Sequence, residues 1–195
     1  MPRWEPNARQ RLERAALELF AEQGYDATSV AQIADRAGLT KSSFFRYFAD
    51  KREVLSAGQD ILIDRFSEGI RTASSSATAI ECIAAALRSA AVVFTPQRHE
   101  IVPLRQAVIA ANSELQERGL LKRARLASAV ADALRARGID NTAARLAAEI
   151  GMIAFDISYT RWAAPGNAES FGDIADAALT ELLTSATTLG INGNT

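Results

Sequence analysis

The stretch from Thr28 to Lys51, TSVAQIADRAGLTKSSFFRYFADK, limits the fold of this chain more than any other. It holds two short helical patterns joined by one tight turn. The first places Val30, Ile33, Ala34 and Ala37 on one face, with Thr28 or Ser29 available to accept a hydrogen bond from the orphan backbone donors at the helix start. Gly38 ends it, because glycine adopts the left-handed backbone of a helix stop without a Cβ clash. Leu39 supplies an apolar plug in the turn. Thr40 can cap a second helix, on which Phe44 and Phe48 sit four apart and face inward. The opposite face offers Lys41, Ser42, Ser43, Arg46 and Tyr47 to solvent.

Two helices across such a turn form a helix-turn-helix, whose second helix lies in the major groove with its N-terminal residues at the base edges. Ser42 and Ser43 suit close approach, and Lys41 can reach a guanine edge or a phosphate. A polar face of this kind is also what a merely solvated helix shows. Asp50-Lys51 favours the DNA reading, since a helix starting there aims backbone N–H groups and a lysine at a phosphate.

The stretch Asn7 to Leu55 resembles the DNA-binding domain of the TetR family of bacterial repressors. The marks are Phe20, Gly24-Tyr25, Thr28-Ser29-Val30, Ile33-Ala34, Ala37-Gly38-Leu39, Phe44-Phe45, Tyr47-Phe48 and Lys51. The resemblance implies an all-α fold of about nine helices. Residues 1–52 would form a three-helix DNA-binding domain, and residues 53–195 a helical ligand-binding and dimerisation domain. It nominates Thr28, Ser29, Thr40, Lys41, Ser42, Ser43, Phe45, Arg46, Tyr47 and Lys51 as DNA contacts. The family often has tyrosine where Phe45 stands, with the hydroxyl on a phosphate, and Tyr47 is the nearest replacement.

A net charge of −1 does not announce a nucleic-acid binder. Residues 1–52 hold nine Lys/Arg against seven Asp/Glu, and the remainder thirteen against sixteen. Affinity must therefore come from local placement of Arg9, Arg11, Lys41, Arg46 and Lys51. Ahead of these, Leu12, Ala16, Leu19 and Phe20 recur at amphipathic helical spacing up to Gly24, giving a first helix that braces the other two.

Beyond Lys51 one pattern runs through Leu55, Leu62, Phe66 and Ile70 and breaks in the small hydroxyl-rich loop after Thr72. Gly58 and Gly69 within it suit either a connecting helix that shifts or close packing. Thr78 can cap a helix with Ile80, Ile83, Leu87, Ala91 and Phe94 on one stripe. The next helix starts at Pro96 and holds Pro103, which should kink it. Ser113-Glu-Leu-Gln116 has the form of a capping box and opens a long charged helix that ends before Gly138. Asp140 or Asn141 caps a helix with Leu146, Ile150, Ile153 and Ile157 on one face and Ala143, Ala147, Gly151 and Ser158 on another. Ser170 opens the last helix, and the tail from Gly190 to Thr195 should fray.

The expected dimer interface takes Ala147, Ile150, Gly151, Ala154, Ile174, Ala178 and Leu182 from the last two helices, which the resemblance implies would form a four-helix bundle with a second copy. Two such domains on a two-fold axis read half-sites about 34–36 Å apart, or a multiple of that. The Phe44 to Phe48 run, Arg98-His99-Glu100 and Pro103-Leu104-Arg105 resemble a branch of the family thought to bind acyl-CoA-like effectors. Phe66, Phe94, Leu104, Val108, Phe155, Tyr159 and Trp162 are then expected to line an apolar pocket, with Arg105 at its polar end. Effector binding would displace the helix after Lys51 and release a repressor from its operator.

An enzyme is disfavoured. His99 is the only histidine and Cys82 the only cysteine, no cluster has metal-ligand spacing, and neither a phosphate loop nor a nucleophile elbow is present. No metal or cofactor is expected. An all-helical binding module without DNA would leave the polar face from Lys41 to Tyr47 unexplained. The N-terminal residues Met1 to Glu5 lack the order of a signal peptide and no apolar run approaches about 20 residues, so the expected location is the cytoplasm.

Overall fold

The computed structural model describes residues 7–56 and 59–190, and among these every regular element is helical. In order they are α1 (Ala8–Gln23), α2 (Val30–Arg36), α3 (Lys41–Tyr47), α4 (Lys51–Ser56), α5 (Gln59–Thr72), α6 (Ala79–Ala90), a 3₁₀ turn (Ala91–Val93), α7 (Pro96–Ala110), α8 (Ser113–Ala136), α9 (Asn141–Trp162) and α10 (Phe171–Thr188). The described residues hold ten α-helices where about nine are expected, the pattern after Lys51 being described as α4 and α5 on either side of residues 57–58. Gly58, the N-terminal residues 1–5 and the tail residues 191–195 lie outside the described residues.

The chain divides into two compact units, Met1–Ala57 with Glu100–Gly119, and Gly58–His99 with Leu120–Thr195. The chain crosses from one unit to the other within α7 and within α8.

In the first unit the apolar periodicity becomes one core. Leu12, Leu17 and Phe20 of α1 meet Ile33 of α2, Phe44 of α3, and Phe48 and Val54 beyond it. Ile101 and Val108 of α7 and Leu115 of α8 join the same core. Local capping fixes the short helices. Ser29 and Gln32 form a reciprocal capping box on α2, and Thr40 Oγ1 accepts from Ser43 N at 3.1 Å to start α3. Gly38 has φ of 64°, and a Cβ there would stand 2.9 Å from the Arg11 guanidinium, which donates to Ala37 O. The turn thus needs glycine for its backbone and for the arginine seated against it. One cap differs from expectation: α8 is started by Asn112, whose Oδ1 accepts from Leu115 N at 3.1 Å, because Ser113 is already helical. Pro103 sits at an exposed position inside the continuous α7.

In the second unit, α5 and α6 approach so closely that a Cβ on Gly69 would lie 2.6 Å from both Ala85 O and Ala86 Cα. Gly69 is therefore a packing glycine. Gly69→Ala must push two backbones apart and is expected to cost about 1–3 kcal/mol, a range typical of overpacked cores. Urea unfolding of the two proteins side by side checks this; equal midpoints would show that the helices separate freely.

The two faces of α9 take opposite fates. Ala144, Ala147, Ala148, Gly151, Ala154 and Ser158 are buried, with Gly151 against Ile83 of α6, where an added Cβ would meet Ile83 Cγ2 at 3.0 Å. The branched face stays outside: Leu146 is 60% and Ile153 43% exposed, and Ile150 and Ile157 are half-buried between them. On α10, Ile174, Ala175, Ala178 and Leu179 are buried. Arg137 closes the far end of α5 by donating to Ile70 O at 3.1 Å and Ala73 O at 3.2 Å.

Candidate nucleic-acid interface

Helix α3 buries Phe44 and turns Lys41, Ser42, Phe45 and Arg46 outward. These four fall at i, i+1, i+4 and i+5, one continuous strip. Ser43 and Tyr47 flank it, half-buried, and Tyr47 packs on the core below. Arg46 lies 5.9 Å from the Tyr47 ring centroid and donates to Ser43 Oγ at 3.4 Å, a long contact that leaves the guanidinium available. Arg9, at the start of α1, lies 5.4 Å from the Phe48 ring centroid and is also exposed. This strip is polar and cationic with one aromatic in its middle, the make-up of a surface that enters a major groove.

Four candidates take other roles. Thr28 is buried; its hydroxyl donates to Gly24 O at 2.8 Å and accepts from Gln23 Nε2 at 3.1 Å, so it fixes the entry to α2 and is not a DNA contact. Ser29 and Thr40 remain exposed, with their hydroxyls engaged as helix caps. Lys51 is turned inward, contrary to the expectation of a phosphate contact. Its Nζ donates to Tyr25 O at 2.7 Å, Thr28 O at 3.1 Å and Asp26 O at 3.2 Å, and lies 4.4 Å from the Tyr25 ring centroid. An ammonium has three donors, and all three are used. Three carbonyls of the turn between α1 and α2 point to one place, and Lys51 gathers them.

The start of α4 is occupied as well. Asp50 Oδ1 accepts from Arg52 N at 2.8 Å and Glu53 N at 2.9 Å, and its other oxygen pairs with Arg52. Burial alone would raise the Asp50 carboxyl, but the Arg52 guanidinium and these amides outweigh it and hold the group below the usual carboxylate range. Arg11 and Arg36 are engaged too, Arg11 on Ala37 O and Arg36 on Glu22 at 2.7 Å. Of the five cations expected to supply affinity, Arg9, Arg11, Lys41 and Arg46 are exposed, while Arg11 and Lys51 donate to backbone carbonyls.

The eight expected ligand contacts divide between the two units. Phe66, Phe94, Phe155, Tyr159 and Trp162 form a cluster in the second unit, joined by Phe171, which stacks on Phe94 at 3.7 Å between centroids. Leu104, Arg105 and Val108 belong to the first unit, Val108 buried in its core and Leu104 packed against it. Arg105 is not a free polar end: its guanidinium pairs with Glu13 of α1 and donates to Leu55 O at 2.9 Å. Within α7 the kind of side chain alone does not tell which unit a residue serves.

The expected dimer residues are corrected likewise. Ala147, Gly151, Ala154, Ile174 and Ala178 are buried within the chain, because small side chains let α9 and α10 approach their own neighbours. Ile150 and Leu182 are half-buried. The surface that α9 does offer is the Leu146–Ile150–Ile153–Ile157 stripe.

The Arg105–Glu13 pair was not anticipated. Its one signal in the sequence is an acid at Glu13 beside Leu12, on the apolar side of an otherwise regular amphipathic helix.

With this geometry in hand, the chain can be compared with known proteins. The sequence profile of the family described as bacterial regulatory proteins, tetR family, matches residues 13–57, the segment from α1 to just past α4. The HTH-type transcriptional regulator TcmR of Streptomyces glaucescens is 33% identical over 81 residues, 42% of this chain and 36% of that protein. The curated relatives are matched over only about a third of their own length. A solved structure of a TetR-family regulator from Mesorhizobium loti aligns over 92% of this chain and 96% of its own, with a TM-score of 0.55 and 20% identity. FadR of Thermus thermophilus, a TetR-family repressor solved in complex with lauroyl-CoA, aligns over 90% of this chain and 93% of its own, with a TM-score of 0.52 and 22% identity. Such identities speak for the fold, whereas the profile match falls on the helices that build the outward strip of α3. Residues 13–57 thus match the family of bacterial regulatory proteins, tetR family, and the fold of about nine-tenths of the chain is like that of solved TetR-family regulators.

Proposed function

We propose that this protein is a DNA-binding transcriptional repressor, acting as a homodimer and released from its operator by an apolar, acyl-like small molecule. The observation that carries the DNA reading is the outward strip of Lys41, Ser42, Phe45 and Arg46 on a short helix whose inner face and both ends are fixed by the core and its caps. A rigid helix presents its side chains to base edges without a large ordering cost on binding. In this reading residues 1–52 read DNA, and residues 53–195 pair the two copies and take the effector.

Two features support the rest. The exposed Leu146–Ile150–Ile153–Ile157 stripe is an apolar face that a second copy would cover on a two-fold axis. The cluster around Phe94, Phe155, Tyr159 and Trp162 offers the apolar, aromatic surroundings an acyl chain or a flat ring requires. The likeness in fold to a lauroyl-CoA-bound repressor is consistent with the acyl choice. Within the first unit, Arg105 of α7 holds α1 and the end of α4. An effector that shifts α7 would move α4 and so the spacing of the paired α3 helices, with coupling of about 1–3 kcal/mol.

The test is fluorescence anisotropy with DNA from immediately upstream of the protein's own gene and a scrambled control, across a salt series. Sequence-dependent binding that weakens with salt is expected. Ile153→Glu should yield a monomer by light scattering and lose the tight binding; a monomer that keeps full affinity would remove the paired-helix reading.

A further inference from the structure

Among the described residues, Phe45 is the one aromatic in the set of exposed large apolar side chains, at 50%. It stands at the middle of the α3 strip, one turn beyond Lys41 and next to Arg46. The ring is not loose: it meets Phe44 edge-on, with centroids 5.6 Å apart and planes at 86°, and Phe44 is fully buried. A held aromatic ring left in water is unfavourable in proportion to its apolar area, so its place on this face calls for an apolar partner. It has no hydroxyl and donates no hydrogen bond to a phosphate.

A major groove presents hydrogen-bond donors and acceptors along every base pair, and one sizeable apolar group, the thymine C5-methyl. Lys41 and Arg46 on either side supply the charge that brings a phosphate-lined groove to this strip. We propose that Phe45 is a specificity-determining residue that reads a thymine methyl in each operator half-site. Lys41 and Ser42, earlier on the same strip, face the neighbouring base pairs, and the cations Arg9 and Arg46 position the helix on the backbone. This rests on the DNA-binding reading above and adds to it the identity of one base.

The experiment uses the full-length protein. Its preferred duplex is selected from a random DNA pool, and each thymine is then replaced in turn by uracil, which removes the methyl group and leaves all hydrogen-bonding edges intact. One thymine per half-site is expected at which uracil weakens binding about 4-fold, the value of one buried methyl group. Phe45→Ala should bind the selected duplex more weakly and respond no further to uracil at that position, while Phe45→Tyr retains the response. Circular dichroism and thermal melting show whether Phe45→Ala keeps its fold, as its exposure implies; should it not, the uracil series on the unaltered protein decides alone. Tight, sequence-selective binding with no uracil-sensitive position would overturn the proposal and leave the DNA reading standing, with the ring lying against deoxyribose. Failure to enrich any sequence would defeat both.

Discussion

Arg105→Ala is expected to lower the stability of the N-terminal unit by about 3–5 kcal/mol, the usual cost of removing one member of a buried ion pair. The Arg105 side chain is 17% and that of Glu13 7% exposed, so truncation leaves a carboxylate in the core of α1 with no charge partner. It also strips the cap from Leu55 O near the end of α4. Most of this penalty belongs to the stranded charge, which sets up a second result: Glu13→Leu combined with Arg105→Leu should recover much of the loss, because two apolar side chains of similar size leave nothing unpaired. Denaturant midpoints for the two single variants and the double variant measure the coupling directly. Additive effects would mean that the pair does not act as a unit and that Arg105 serves only Leu55. The same series bears on regulation: a double variant that is stable but binds DNA identically with and without effector would locate the coupling at this pair.

Helix boundaries and the N-terminal core were legible in the sequence because they rest on local rules. Gly38 and the caps at Ser29, Thr40, Thr78, Asp140 and Ser170 act within four residues of themselves, and the apolar spacing of α1 to α3 leaves one arrangement that buries it. What failed was the choice between two faces that are both apolar. On α9 the small face and the branched face are each visible in the sequence, and small residues suit the meeting of two chains as well as of two helices. They serve the close approach of helices inside one chain, as Gly151 against Ile83 shows. Periodicity states that a helix has two partners and is silent on which is its own.

The candidate site divides along the same line. The outward residues of α3 follow from helical spacing alone, since burying Phe44 directs Lys41, Ser42, Phe45 and Arg46 to the other side. Lys51 and Arg105 could not be placed that way, because their partners lie 23 to 26 and 50 to 92 residues off in sequence. A long cation reads as surface until the carbonyls or carboxylate that hold it are known.

Lys51→Ala is expected to destabilise the first unit by at least about 2 kcal/mol, since hydrogen bonds from a charged group each contribute about 1.5–3 kcal/mol and three are lost together. The contact with the Tyr25 ring adds a smaller share. A lysine that touched phosphate would behave otherwise. Its removal would leave the unfolding midpoint almost unchanged and reduce the salt dependence of DNA binding by about 0.9 per contact in the logarithmic slope. The geometry here predicts the reverse: a lower midpoint, and a salt slope that stays the same wherever enough protein is folded to measure it. Lys51→Arg separates the two roles further. An arginine serves a phosphate as well as lysine does or better, but its planar fork cannot converge on three carbonyls arranged around a single point. Lys51→Arg should therefore resemble Lys51→Ala in stability. If Lys51→Arg instead matches the unaltered protein in stability and in DNA affinity, the lysine's charge matters and its seat among the carbonyls of Tyr25, Asp26 and Thr28 does not.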